Sequence, residues 1–117
     1  MRGVADTDCL FCKIIAGEIP SQTVLERDRL VAFRDINPQA PLHVLVVPRD
    51  HAPNAATTAE TDPGMIGELV SAAAEVAAAE GHTDYNLVFN TGPEAGQTIF
   101  HTHLHLLAGK RLWGLPA

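Results

Sequence analysis

Six histidines occur in the 117 residues, and three of them, His101, His103 and His105, alternate within the run FHTHLHLL at residues 100–107. Alternation is the period of a β-strand, whose successive side chains point to opposite faces. The three imidazoles would share one face, with neighbours about 6.6 Å apart at a rise of about 3.3 Å per residue. Thr102, Leu104 and Leu106 would face the other way, into a core. Imidazoles this close repel if all are charged. Each titrates near about 6.5 when unperturbed, so the row can share protons near neutrality. Three readings are open: packing or solvent-facing side chains, a metal site presented by His-x-His, and a nucleophilic histidine with histidine partners for proton transfer. No acidic residue lies within or immediately beside the run, which argues against a catalytic metal there.

The preceding loop favours the nucleophile. Residues 91–97, TGPEAGQ, carry Gly92 and Gly96, and Thr98 adds a hydroxyl. Backbone N–H groups exposed in such a loop cradle an anion without any basic side chain, here directly beside imidazoles. Asn90 stands before the loop, where its spacing suits a turn residue and its amide could also act as a donor. The other residues with chemistry to offer are Cys9 and Cys12. A C-x-x-C pair is redox-active, metal-binding or simply buried. As thiolates the two would make half of a tetrahedral zinc site, which histidines would have to complete.

These groups need elements to position them. Residues 9–16, CLFCKIIA, read as a short helix stopped by Gly17, with Pro20 beyond. Residues 23–26 and 30–35 are short β-prone runs around the turn-forming Arg27-Asp28-Arg29, a hairpin pattern. A loop follows over residues 37–41, NPQAP. Residues 42–47 are apolar except for His43 and end at Pro48, as a buried strand would. Over residues 62–80, Ile66, Leu69, Val70, Ala73, Val76 and Ala77 recur at helical spacing, with Asp62 as cap, Pro63 in the first turn and Gly81 as stop. The alanine-rich stretch 72–79 suits close packing against a sheet or a partner helix, and His82 beyond it reads as a solvated residue near the C-terminal dipole. Residues 85–90 and 98–107 read as two further strands. Strands on both sides of one long helix predict an α+β fold with a largely antiparallel sheet.

Composition narrows the function classes. At 117 residues the chain is expected to be a single domain, 1–117, with one sizeable core. Hydrophobic residues at 46% against 19% charged exclude wholesale disorder. No apolar run approaches the roughly 18 residues of a membrane span. The first residues, MRGVADTD, lack the apolar stretch of a secretory signal, so a cytoplasmic location is expected. A net charge of -6 argues against tracking a nucleic-acid backbone, although not against one locally held anion. Two cysteines are too few for a disulfide scaffold.

The run His101-Thr102-His103-Leu104-His105-Leu106-Leu107 resembles the signature of the histidine triad (HIT) superfamily, in which the histidines alternate with apolar residues. FCKIIAGEIP, VAFRDINPQAPLHVLVVPRDH and GQTIFHTHLHLLAGKR are similar to its Hint branch, the nucleoside phosphoramidases, over residues 9 to 111. Thr102 departs from the pattern; facing away from the triad, it is expected to leave the chemistry unchanged. The tail RLWGLPA, with Trp113, resembles the family's tail only loosely.

The resemblance implies a five-stranded HIT fold with a short N-terminal helix and one long helix, its sheet continued across a homodimer. It implies a purine nucleotide as small-molecule partner, and hydrolysis of the P–N bond of nucleoside 5′-phosphoramidates such as adenosine 5′-phosphoramidate or aminoacyl-adenylate-like compounds. His103 would attack the phosphorus, His105 would contact the phosphate and help protonate the leaving amine, and His43 would support them. Asn90 would stand beside the leaving group, Gly96, Gln97 and Thr98 would form the anion nest, and Asp35 would hold the ribose hydroxyls. Phe11, Ile14, Ile19, Phe33, Ile36 and Leu45 would line the purine slot. Cys9 and Cys12 with His51 and His101 would hold a structural zinc ion that the chemistry does not need. The alternatives are a Fhit-like dinucleoside polyphosphate hydrolase, and a nucleotide-binding or scaffold protein with vestigial catalysis.

Overall fold

Local chemistry starts the first helix. Cys9 accepts the N–H of Cys12 on its sulfur at 3.4 Å, capping α1 (Leu10–Ile15), and Gly17 leaves the helix at a φ of 79°. The computed structural model describes residues 6–116. The first five residues, part of the stretch read above as lacking a leader, and the last residue of the tail lie outside it.

The predicted hairpin forms as β1 (Thr23–Glu26) and β2 (Leu30–Arg34), followed by β3 (Leu42–Pro48). Beyond the long helix come β4 (Asn86–Val88), a single 3-10 turn at Pro93–Ala95 and β5 (Leu104–Ala108). The five strands form one sheet in the order β1-β2-β3-β5-β4, every pairing antiparallel. All seven residues of β3 are buried, which explains why its sequence is apolar rather than alternating.

Each face of the sheet is covered by a different helix. The long helix, here α3 (Pro63–Ala79), lays Met65, Leu69, Ala72, Ala73, Val76 and Ala77 on Val44, Val46, Leu104 and Leu106. Arg27, Arg29 and Arg34 pair across its exposed flank with Glu75, with Asp62 and Glu68, and with Glu80. On the opposite face Phe11 of α1 packs with Val31, Phe33, Leu45 and Val47. Pairing of Leu45 with His105 and of His43 with Leu107 puts both histidines on this second face. Among the described residues no helix is long and apolar enough to cross a membrane.

Two features differ from the sequence reading. A helix, α2 (Ala55–Thr61), precedes α3 and was not anticipated. Its sequence AATTAET buries only Thr58, so it has no apolar stripe to betray it; the signal present was Asn54, whose side chain accepts the Thr57 N–H at 3.0 Å. Second, the strand expected over residues 98–107 contracts to β5, so His101 and His103 lie before the ladder and only His105 lies in it. The register accounts for this. Val46 pairs with Leu104, and β3 ends two residues later at Pro48, which has no N–H to offer a continuing ladder. The chain instead pairs with the segment that follows β3: Thr102 donates its N–H to the carbonyl of Ala52 at 2.9 Å.

Candidate functional site

The hydrogen bonds around the triad assign each ring's proton. A neutral imidazole has one N–H and one bare nitrogen. His103 directs Nδ1 at the carbonyl of His101, 2.7 Å away, so Nδ1 carries the hydrogen and Nε2 is bare. His43 receives the Gln39 N–H on Nδ1 at 3.0 Å, so its hydrogen sits on Nε2. That Nε2 lies 3.0 Å from Nδ1 of His105, which must accept and therefore carries its own hydrogen on Nε2. The rings of His103 and His105 are 4.9 Å apart. A bare nitrogen thus stands beside an N–H donor, the pairing that nucleophilic attack with proton delivery requires.

Burial keeps these rings uncharged. It lowers the pKa of His103 and of His43, opposed in His43 by the Asp35 carboxylate, and takes His105 down to about 4 with help from His103 and His43. A depressed histidine pKa means that the unfolded chain binds the proton more readily, so this contribution is complete above pH 6.5 and is lost as pH falls towards 4. Thermal scans between pH 7 and 4 should show falling stability, and His105→Asn should flatten that slope.

Asp35 lies at the end of β2, its Oδ1 taking the Asn37 N–H at 2.8 Å and its Oδ2 3.4 Å from His43 Nε2. With Ile36 and His43 it lines a cavity of about 610 Å3 bounded by Pro20, Pro38 and Pro41. The remaining predicted slot residues divide. Phe11, Phe33 and Leu45 are buried together with Ile14 against them, and the Phe11 ring stands edge-on to His103 at 5.0 Å. Ile19 is half-buried outside that cluster, and Ile36 is 98% exposed at the cavity mouth. Of the six residues, Phe11, Phe33 and Leu45 thus belong to the core, whereas Ile19 and Ile36 do not.

The glycine loop is less free than its sequence implies. The amides of Gly96 and Gln97 are spent on the carbonyls of Pro93 and Gly92, both at 3.1 Å. The buried Gln97 side chain takes the Gly92 N–H and donates to the carbonyls of Pro53 and Ile99. Asn90 gives its amide to Ala95 at 2.9 Å. Gln97 and Asn90 hold the loop in shape, and the exposed Thr98 makes no hydrogen bond among the described residues, which leaves its N–H and hydroxyl available.

Cys9, Cys12, His51 and His101 converge, their ligand atoms all within 4.8 Å of one another. His101 Nδ1 lies 3.4 Å from the Cys9 sulfur, 3.5 Å from that of Cys12 and 3.1 Å from His51 Nδ1; His51 Nδ1 is 3.5 Å from the Cys12 sulfur. Tetrahedral zinc bonds of about 2.3 Å to sulfur and 2.0–2.1 Å to nitrogen put sulfur and nitrogen about 3.6 Å apart and two nitrogens about 3.3 Å apart. The donor chemistry fits as well. His101 donates Nε2–H to the Pro48 carbonyl at 2.8 Å, leaving Nδ1 bare, and burial takes its pKa down to about 4. His51 turns Nε2 towards Asp6 Oδ2 at 3.7 Å, an outer carboxylate of the kind that orients metal-binding histidines. Burial pushes the Cys12 thiol up to about 11, a cost that a dication removes by holding the thiolate. These four residues could hold a metal ion. A second group, Asp35, His43 and His105, also converges, but the Gln39 bond leaves the hydrogen of His43 on the nitrogen a metal would need.

Sequence reasoning missed the groups that fix these rings. Gln39 acts through its N–H and Pro48 and Ala52 through carbonyls, which every residue except proline's missing donor provides, so no residue type announces them. Thr58 was missed with its helix. Its hydroxyl is 2.7 Å from that of Thr102, which in turn donates to Ala52 at 3.3 Å.

Comparison with known proteins places this architecture. Residues 16–112 match the HIT domain family. The chain is 42% identical over 115 residues to the 14 kDa zinc-binding protein of Zea mays, covering 96% of this chain and 90% of that one. It is 39% identical over 107 residues to the purine nucleoside phosphoramidase of Escherichia coli K12, covering 90% of each. A solved HIT family hydrolase from Clostridium thermocellum superposes with a TM-score of 0.88 at 40% identity, covering 97% of this chain and 98% of that one.

Proposed function

We infer, from the premise that this chain belongs to the HIT domain family, that it is a nucleotide hydrolase cleaving the P–N bond of purine nucleoside 5′-phosphoramidates. The reading is carried by one observation: the bare Nε2 of His103 beside the Nε2–H of His105, each set by a hydrogen bond on the far side of its ring. The name of the Escherichia coli relative supports the substrate class.

Nε2 of His103 attacks the α-phosphorus, and the P–N bond breaks as the departing nitrogen takes the proton of His105 Nε2. The cationic nucleotidyl-imidazole on His103 balances the charge left on the His105–His43 pair. Water then bonds to phosphorus, returns a proton to His105 and frees His103, so that one amine and one nucleotide leave per water consumed. Nothing in these steps requires a metal ion. The Thr98 amide and hydroxyl, with the remaining N–H of Asn90 and the turn of Gly96 and Gln97, face the phosphate; Asp35 accepts from the ribose hydroxyls. Phe11, Ile14, Ile19, Phe33, Ile36 and Leu45 receive the base, Ile36 by closing over it from its exposed position. The protein acts in the cytoplasm as a homodimer in which β4, at an edge of the sheet, continues the sheet into a second copy.

Cys9, Cys12, His51 and His101 would hold zinc, which would supply a structural crosslink rather than a Lewis acid. These residues join α1 to the segment after β3 and to the residue two before the nucleophile.

The test is turnover of adenosine 5′-phosphoramidate beside diadenosine polyphosphates by the purified chain. The phosphoramidate should be preferred by an order of magnitude or more in kcat/KM. Preference for the polyphosphates would transfer the chain to the dinucleoside-cleaving reading, and turnover of neither would leave a binding protein.

A further inference from the structure

The nucleophile sits on a segment that the sheet does not hold. β5 begins at Leu104, so His103 lies just outside the ladder. The anchors of residues 101 and 102 come from the end of β3 and the segment after it: the Pro48 carbonyl takes His101 Nε2–H, and the Ala52 carbonyl takes the Thr102 N–H. Thr102 is wholly buried and points away from the histidines, where its hydroxyl meets that of Thr58 at 2.7 Å. Thr58 is itself buried, and is the buried residue of α2.

Proton direction in this pair can be assigned. The single hydrogen of Thr102 Oγ1 goes to the Ala52 carbonyl, so Thr58 donates and Thr102 accepts. A line Thr58 to Thr102 to Ala52 therefore ties the first turns of α2 to the residue immediately before the nucleophile. A buried hydroxyl pair is a poor choice for packing alone, since apolar groups of the same shape fill the space without polar atoms to satisfy. It is directional, however, and sets both the distance and the rotation of residue 102.

We propose that Thr58 and Thr102 are positioning residues for the nucleophile: their hydroxyl pair makes α2 the template that aims His103 Nε2. The proposal rests on His103 being the nucleophile. It departs from the expectation that a threonine at this point of the triad leaves the chemistry unchanged.

Steady-state kinetics on adenosine 5′-phosphoramidate and 15N spectra of the imidazoles at neutral pH test it, using Thr58→Val, Thr102→Val, the double variant and Thr58→Ser. Thr58→Val should lower kcat about tenfold at unchanged KM, since misplacement of a reacting group by an ångström costs up to about 100-fold. The same variant should blur the distinction between protonated Nδ1 and bare Nε2 in His103, and Thr58→Ser should restore both readouts. The double variant should lose no more than the worse single one, as two ends of one bond must. If Thr58→Val does not fold, Thr58→Ala, which leaves room for a water on Thr102, is read in its place. Unchanged kcat and unchanged His103 spectra, with only the melting temperature lowered, would reduce the pair to a stabilising contact and overturn the proposal, as would additive losses. Should the unsubstituted protein cleave no phosphoramidate, the functional reading falls alone, because the spectra still report whether Thr58 sets the His103 ring.

Discussion

His103→Ala should abolish phosphoramidate turnover, with kcat falling by about 10³-fold or more, the range seen when a covalent nucleophile is removed. The expectation follows from the division of labour among the rings. His105 and His43 form a relay whose hydrogens run outward from Gln39, and neither offers a bare nitrogen to the space they share with His103. Loss of that one Nε2 leaves a donor without an attacker. Affinity for the nucleotide should persist, because Asp35, Ile36 and the loop at Thr98 are untouched. His103 is buried beside Phe11, so a cavity is expected, and His103→Asn serves as the better-filled second variant. A covalent nucleotide adduct trapped on the unsubstituted protein and absent from both variants is the direct check. Turnover within tenfold of the unsubstituted protein in either variant would refute nucleophilic catalysis by His103.

Removal of the zinc proposed at Cys9, Cys12, His51 and His101 should lower stability strongly. A ligand held at 1,000 times its dissociation constant stabilises the fold by about 4 kcal/mol, which for a chain of this size corresponds to about 15 °C in Tm. Cys12→Ser should reproduce that loss, because Cys12 is buried and its sulfur lies 3.5 Å from both histidine nitrogens. The protein purified without a histidine tag should carry one zinc per chain, and a strong chelator should lower its Tm without affecting that of Cys12→Ser. Absence of stoichiometric zinc, with a chelator-insensitive Tm, would leave Cys9 and Cys12 as a reduced pair capping a short helix.

What could be read in advance depended on whether a side chain or the main chain carried the information. His43 stood out as the one polar residue in a buried strand and Cys9 and Cys12 by their spacing, while their companions came from the family resemblance; the structure gathers Cys9 and Cys12 with His51 and His101, and His43 with His105 and Asp35. α3 announced itself by an apolar stripe, and β3 by an uninterrupted run. By contrast α2 buries one threonine, leaving no periodicity to detect. The triad was expected on one strand face because alternation is the only geometry that such a sequence displays. In the structure His101 and Thr102 are held by the carbonyls of Pro48 and Ala52, about fifty residues away. Asn90 is read for its amide and Gln97, through the family resemblance, as a member of the anion nest; the Asn90 amide and both the N–H and the side chain of Gln97 are occupied in shaping the loop. A polar group's type is visible in a sequence, but the partner that consumes it is not.

The acceptor of the His103 Nδ1–H is the main-chain oxygen of residue 101, and no codon change at that position deletes it. This contact therefore survives exchange of any side chain in the Cys9, Cys12, His51 and His101 cluster, His101 included, as long as the backbone path through residues 101 to 103 is kept. Loss of a metal from that cluster and loss of the hydrogen bond that orients the His103 ring are thus separable events.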